Sequence, residues 1–152
     1  PVHVRADRDK LSQVLMNLVR NAIEAIAADA EADAPSGVPV GHVVLRVRRH
    51  PREVFVEVED DGPGIAKSDA PIFDAFYSTK PAGTGLGLPI AHRIVQDHGG
   101  VLTFESGQAD ARAPSRNTFG RKTTFRIKLP VLDAQDHEDG NGTSDERRDS
   151  GR

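Results

Sequence analysis

The order of hydrophobic periodicities along the chain restricts its possible folds more than any other feature. After Asp7, apolar side chains recur every three or four residues, which predicts an amphipathic helix over residues 8–28 with Asp7 as N-cap. HVVLRVRR and EVFVEVED then alternate apolar and polar residues around a short turn, which predicts a β-hairpin. A glycine-rich run opens a second helix ending at His98, and VLTFES and KTTFRIKLP predict two more strands. This order predicts an α+β sandwich with helices on one face of a sheet.

Length and composition indicate one folded domain followed by a polar tail. The chain has 152 residues, of which 37% are hydrophobic, and this is enough for one core. Residues 133–152 contain no apolar side chain larger than alanine, so we expect a domain over residues 1–132 and a disordered acidic tail over 133–152. Residues 107–121, rich in Gly, Ala, Ser and Arg, are expected to form an irregular insertion between the last two strands.

Composition also excludes several classes of function. Because the chain has no cysteine, disulfide scaffolds, thiolate catalysis and cysteine-based zinc sites are excluded. The formal charge is −3 and the tail carries about −4 of it, so the domain is nearly neutral; with one Tyr and no Trp, we expect no nucleic-acid surface. No apolar run reaches membrane-spanning length, so we expect a cytoplasmic segment without direct membrane contact.

Three short motifs suggest binding chemistry, and each also has a simpler explanation. The run PAGTGLGLPIAHRIV could place phosphates on the N–H groups of a helix N-terminus, or it could only form a turn. Asn17 and Asn21 share one helix face, where their amide oxygens could bind Mg²⁺ or lie in solvent. Asp60, at a strand end before Gly62 and Gly64, could accept a hydrogen bond from adenine or belong to a tight turn.

Taken together, four motifs resemble those of a known family over about residues 7–130. NLVRNAIEA, DDGPGI, FDAFYSTKPAGTGLGLPI and TTFRIKLP resemble the N, G1, F and G2 boxes and closing strand of histidine kinase catalytic domains, with nitrogen-regulation-type sensor kinases the most similar. The resemblance implies the Bergerat ATP-binding fold, a two-layer α/β sandwich in which helices cover one face of a mixed sheet. Its implied cofactors are ATP and Mg²⁺.

The resemblance also implies a role for each matched residue. Asn21 would coordinate Mg²⁺ and act with Asn17 and the lid residue Lys80 at the catalytic centre. Asp60 would hold the adenine amine, with Thr123 beside it through water. The other residues expected to bind the nucleotide are Gly62, Gly64, Ile65, Gly83, Thr84, Gly85, Leu86, Gly87 and Leu88, together with Lys80.

Two features of the matched motifs leave questions for the structure. Phe73 and Phe76 resemble F-box aromatics that pack a mobile lid, but they could equally be ordinary core residues. Lys122 stands where the family often has a second glycine before its closing strand, which puts the rim of the base pocket in question.

The implied activity is transfer of the γ-phosphoryl group of ATP to a histidine of a separate dimerisation domain, for relay to an aspartate of a response regulator. No histidine here lies in an H-E-x-x-T/N-P sequence, so we expect the acceptor to be outside these residues. Three alternatives remain: a gyrase- or MutL-like ATPase, an anti-sigma-type serine kinase, and a degenerate nucleotide-binding module. The ATPase would need Glu at the position of Asn17 to activate water.

Overall fold

The fold is built from two helices and four strands. The computed structural model describes residues 3–33, 41–65, 70–80, 83–107 and 122–132, so the expected insertion beyond residue 107 and the expected tail lie outside the described residues. The helices and strands are α1 (Arg8–Asp33), β1 (Val43–Arg49), β2 (Glu53–Asp60), α2 (Gly87–Asp97), β3 (Val101–Ser106) and β4 (Thr123–Pro130). Neither helix in these ranges is long and apolar enough to cross a membrane.

The strands form one sheet in the order β1-β2-β4-β3, and every described pairing is antiparallel. The predicted α+β architecture is confirmed, but the sheet is antiparallel where a mixed one was expected. The physical reason is the position of β4. The crossover through α2 leaves β2 and β3 running in the same direction, but β4 inserts between them and runs opposite to both.

The first helix begins where its sequence predicts and continues further than predicted. The Oδ1 atom of Asp7 accepts hydrogen bonds from the backbone N–H groups of Asp9 and Lys10, at 2.9 and 3.0 Å. Asp7 is therefore the N-cap, because it satisfies donors that the helix itself leaves free. The helix passes residue 28 and ends at Asp33, through an alanine-rich segment with high helix propensity.

The hydrophobic core lies between one face of the sheet and the two helices. Side chains alternate along β2 and β4, so Val54 and Val58 face the helices beside Phe125, Ile127 and Leu129. The helices cover them with buried apolar residues: Val14, Leu18, Ala91, Ile94 and Val95.

The opposite face of the sheet is charged. Glu57 on β2 pairs with Arg48 at 3.3 Å and with Arg126 at 2.9 Å. Among the described residues the two helices cover one face of the sheet, as expected for a two-layer sandwich.

Candidate functional site

Asp60 is a buried acid at the end of β2, on the side of the sheet that the helices cover. Only 4% of the residue is exposed, and its Oδ1 accepts a hydrogen bond from the N–H of Gly62 at 3.1 Å. The pKa of Asp60 is raised to about 6, mainly by burial; the hydrogen bond from Gly62 acts in the opposite direction, and the charges of Asp61 and Glu59 add smaller upward contributions to the same total. Within the described ranges no cation forms an ion pair with Asp60, so its carboxylate can still accept a hydrogen bond from a ligand.

Gly62 and Thr123 are the immediate neighbours of this carboxylate. A Cβ atom on Gly62 would lie 2.9 Å from Oδ1 of Asp60 and 3.3 Å from the Cβ of Ala25, so any side chain there would occupy the space beside the acid. Thr123, buried at the start of β4, is the direct cross-strand partner of Asp60. The structure therefore brings together Asp60, Gly62 and Thr123, which are three of the residues predicted for the base pocket.

Gly64 and Ile65 form the next part of the same wall. Gly64 has a φ of +78°, in the left-handed region, and a Cβ there would lie 3.0 Å from the carbonyl oxygen of Gly107. The N–H of Ile65 donates to Oγ of Ser106 at 2.7 Å, and that oxygen lies 3.5 Å from Oγ1 of Thr123. Ser106 was missed in the sequence, although it is the last polar residue of the predicted strand VLTFES.

The N-terminus of α2 offers backbone N–H donors on the helix-covered side of the sheet, the side on which Asp60 lies. Its N-cap residue is Leu86, and no side-chain hydrogen bond caps the helix in the described structure. The N–H of Ile90 already donates to the carbonyl of Leu86 at 3.0 Å, and Pro89 has no N–H. The groups available to an anion are therefore the N–H groups of Gly87 and Leu88, at the positive end of the helix dipole.

The two asparagines of α1 face the start of α2 and Lys80. Nδ2 of Asn17 donates to the carbonyl oxygen of Gly87 at 3.2 Å, which ties the middle of α1 to the first turn of α2. Oδ1 of Asn21 accepts a hydrogen bond from Nζ of Lys80 at 3.4 Å. The predicted metal ligand and the predicted lid cation are thus in contact.

Glu24 completes this group and was not identified from the sequence. Nζ of Lys80 forms an ion pair with Oε2 of Glu24 in addition to its contact with Asn21. The available signal was spacing, because a residue three positions after Asn21 lies on the same helix face.

The glycine run folds back onto the F-box segment. Gly83 and Thr84 are exposed, and the N–H of Gly83 donates to the carbonyl of Lys80 at 3.1 Å. Gly85 has a φ of +65° and its carbonyl accepts from the N–H of Phe76 at 3.0 Å. A Cβ on Gly85 would lie 2.5 Å from the carbonyl carbon of Phe76, so glycine is required for this close approach.

The two F-box aromatics have different environments. Phe73 is half-buried and stacks on His92 with ring centroids 4.7 Å apart, so it packs as part of the core periphery. Phe76 is 77% exposed and has a φ of 68°, a backbone conformation that is uncommon for a residue with a side chain. Of the two aromatics, only Phe76 is exposed.

Lys122 is directed to the face of the sheet opposite to Asp60. Its Nζ lies 3.0 Å from Oε1 of Glu59, on the charged face of the sheet, and Oε2 of Glu59 accepts from Arg46 at 2.9 Å. These bonds lower the pKa of Glu59, with the bond from Arg46 contributing most. The lysine that replaces a glycine is thus directed away from Asp60, because Glu59 and Asp60 face opposite sides of β2.

Comparison with known proteins gives a consistent family. A family model described as "Histidine kinase-, DNA gyrase B-, and HSP90-like ATPase" matches residues 6–133. The sensory histidine kinase/phosphatase NtrB of Azospirillum brasilense is 34% identical over 140 residues, which are 86% of this chain and 31% of that protein. The sensor histidine kinase ZraS of Escherichia coli (strain K12) is 36% identical over 130 residues, which are 84% of this chain and 23% of that protein.

Solved structures of the same kind superpose on the fold. The mycobacterial sensor histidine kinase MprB matches with a TM-score of 0.65 and 28% identity, covering 86% of this chain and 76% of that chain. The catalytic domain of histidine kinase ThkA matches with a TM-score of 0.61 and 32% identity, covering 84% and 71%. The chain spans less than a third of the length of the two curated relatives. Over residues 6–133 the chain belongs to the family of histidine kinase-, DNA gyrase B- and HSP90-like ATPases, a family of ATP-binding domains.

Proposed function

We propose that this chain is the ATP-binding catalytic domain of a cytoplasmic two-component sensor histidine kinase. It would bind ATP with Mg²⁺ between α1, the end of β2 and the start of α2. It would then present the γ-phosphoryl group to a histidine of a separate dimerisation domain, for later transfer to an aspartate of a response regulator. Phosphoryl transfer depends mainly on positioning and on neutralising charge, which are tasks that these residues can perform.

The observation that carries the proposal is the buried carboxylate of Asp60. A carboxylate that is 4% exposed and lacks an ion-pair partner in the described structure is costly to ionise, as its raised pKa of about 6 reflects. Such a group is explained when a ligand supplies the missing donor. The exocyclic amine of adenine is a donor of the right kind, and Gly62 adds no side chain that would press against the acid, since a Cβ there would lie 2.9 Å from Oδ1 of Asp60.

The donor set at the other end of the site suits a magnesium-bound polyphosphate. The N–H groups of Gly87 and Leu88 suit phosphate oxygens, because they open α2 without a side-chain cap. Oδ1 of Asn21 is an uncharged oxygen that could coordinate a metal ion, and it already accepts a hydrogen bond from the cationic side chain of Lys80. A hard oxygen of this type suits Mg²⁺, which takes its remaining ligands from phosphate and water. Bound Mg²⁺ would neutralise charge on the phosphates.

The residue at position 17 favours a kinase over a hydrolase of the same fold. A water-activating base would have to be a carboxylate, but Asn17 carries an amide whose nitrogen is already bonded to the carbonyl of Gly87 at 3.2 Å. Asn17 therefore holds α1 against the start of α2 and cannot take a proton from water. We expect phosphate release without an acceptor domain to be slow.

Isothermal titration calorimetry with MgATP and MgGTP tests the nucleotide site. The wild type should bind MgATP and discriminate against MgGTP, whose base carries a carbonyl where adenine has its amine. Asp60→Asn should lose most of the affinity for MgATP, by about ten-fold or more, because a hydrogen bond to a charged group contributes roughly 1.5–3 kcal/mol.

Asp61→Asn is the matched control for that experiment. Asp61 is adjacent but its carboxylate pairs with Nδ1 of His42 at 3.0 Å on the surface, so this variant should bind MgATP normally. Equal affinity of wild type and Asp60→Asn for MgATP would contradict the assignment of the base pocket.

Transfer is tested by adding the dimerisation domain of the parent kinase together with labelled MgATP. The expected product is acid-labile phosphohistidine on that domain, with little label on the present chain. Phosphoserine on a partner protein would indicate the anti-sigma type of kinase. Rapid, steady phosphate release without any acceptor would indicate an ATPase, and binding without either activity would indicate a degenerate module.

A further inference from the structure

Lys80 makes two contacts to α1 that the proposed function alone does not explain. Its Nζ donates to Oδ1 of Asn21 at 3.4 Å and forms an ion pair with Oε2 of Glu24. Lys80 precedes the glycine run, whereas Asn21 and Glu24 lie one helical turn apart on α1. A cationic group therefore already contacts the oxygen that we propose as the ligand of Mg²⁺.

The ammonium group and the metal ion compete for the same atom. A lysine ammonium in direct contact with an amide oxygen disfavours Mg²⁺ at that same oxygen, because two cations at that distance repel each other. Binding of Mg²⁺ at Asn21 therefore favours a state in which Lys80 has left that oxygen. The energy of this displacement depends on what else holds the lysine.

Glu24 is the group that holds it. The side chains of Lys80 and Glu24 are 39% and 45% exposed, so solvent weakens the pair without abolishing it. The presence of a carboxylate at position 24 also has to be explained, because its charge would repel the phosphates of a bound nucleotide. Retaining the lid lysine on α1 while no nucleotide is bound supplies that reason.

We propose that Glu24 is a positioning residue for Lys80, which keeps the ammonium on Asn21 until MgATP displaces it. This inference rests on the proposed function, because it assumes that the site binds MgATP. When the nucleotide enters, Mg²⁺ replaces the ammonium at Asn21 and Lys80 becomes available to the phosphates. In this proposal Lys80 is attached to α1 when the site is empty and is released from α1 when MgATP is bound.

A double-mutant cycle on the dissociation constant for MgATP tests this role. Glu24→Gln should tighten MgATP binding about two- to five-fold, which corresponds to the usual strength of a half-exposed ion pair. In a Lys80→Ala background the same substitution should tighten binding clearly less, because the ion pair is gone and only direct repulsion between Glu24 and the phosphates remains. Asp97→Asn is the control: it removes a carboxylate from an exposed pair with Arg93 at the far end of α2, and binding should not change.

The cycle separates this role from the other possible roles of a carboxylate here. Weaker binding by Glu24→Gln in both backgrounds would make Glu24 a metal ligand and overturn the proposal. Equal tightening of binding in both backgrounds would make it a source of charge repulsion only, and unchanged binding with an altered melting temperature would make it structural. Either result would also overturn the proposal.

Carbodiimide crosslinking tests the ion pair without relying on affinity. This reagent joins a carboxylate and an amine in direct contact, with loss of water, so mass spectrometry should find Glu24 linked to Lys80 in the nucleotide-free protein. Saturating MgATP should reduce the yield. A missing crosslink, or a yield that MgATP leaves unchanged, would overturn the inference. If the wild type binds no MgATP at all, the proposed function itself fails, and the calorimetry identifies that case separately.

Discussion

Replacing Asp60 with asparagine should make the protein more stable at neutral pH while removing its nucleotide affinity. Burial raises the pKa of this carboxyl from 3.8 to about 6, which at about 1.4 kcal/mol per pKa unit corresponds to roughly 2–3 kcal/mol. The unfolded chain loses this proton near pH 3.8, whereas the folded protein retains it until about pH 6. The stability of the wild type therefore falls as pH rises through this window and stays lower above it. Asparagine is neutral throughout and avoids the loss.

Urea denaturation of both proteins between about pH 4 and about pH 8 measures the effect. We expect the stability difference between Asp60→Asn and wild type to increase by roughly 2–3 kcal/mol from the acidic to the neutral end of this range. Titrating groups far from Asp60 contribute equally in both proteins and cancel in the difference. Added MgATP should stabilise the wild type and leave the variant almost unchanged.

Asp61→Asn serves as the control, because its stability difference from wild type should stay nearly constant between about pH 4 and about pH 8. Burial would raise the pKa of Asp61, but hydrogen bonds from the backbone and ring of His42 together outweigh burial and lower it. This carboxylate therefore stabilises the fold above its unfolded pKa of 3.8, and the contribution disappears as pH falls through the lower folded value. A stability difference for Asp60→Asn that stays constant, or shrinks as pH rises, would refute the reasoning.

Three further substitutions test the core, the start of α1 and the glycine run. Leu18→Ala removes a side chain that is 0% exposed and should lower the free energy of unfolding in urea by about 2–5 kcal/mol. Asp7→Ala removes the cap of α1 and should lower it by about 1 kcal/mol, while Asp7→Asn should retain most of the stability. Gly85→Ala places a Cβ 2.5 Å from the carbonyl carbon of Phe76 at a φ of +65°, and should cost about 1–2 kcal/mol and weaken MgATP binding in calorimetry.

Local spacing in the sequence was sufficient to predict both helices and all four strands. Asp7 marks the start of α1 because a cap acts on donors two and three residues away, and β2 follows from alternation within EVFVEVED. The motifs of the site were also readable, because each is a short segment. Where α1 ends was less predictable, since its alanine-rich end continues the helix to Asp33 without an apolar pattern.

Contacts between distant segments were decided by the tertiary structure. The insertion of β4 between β2 and β3 made the sheet antiparallel, and no local pattern determines which strands become neighbours. The same packing buries Asp60 beside Thr123, directs Lys122 toward Glu59 and brings Lys80 to α1. Sequence patterns report the interactions of residues a few positions apart, because those are set by backbone geometry. The pKa of Asp60 and the partner of Lys80 depend instead on groups that come together only when the sheet and the helices pack.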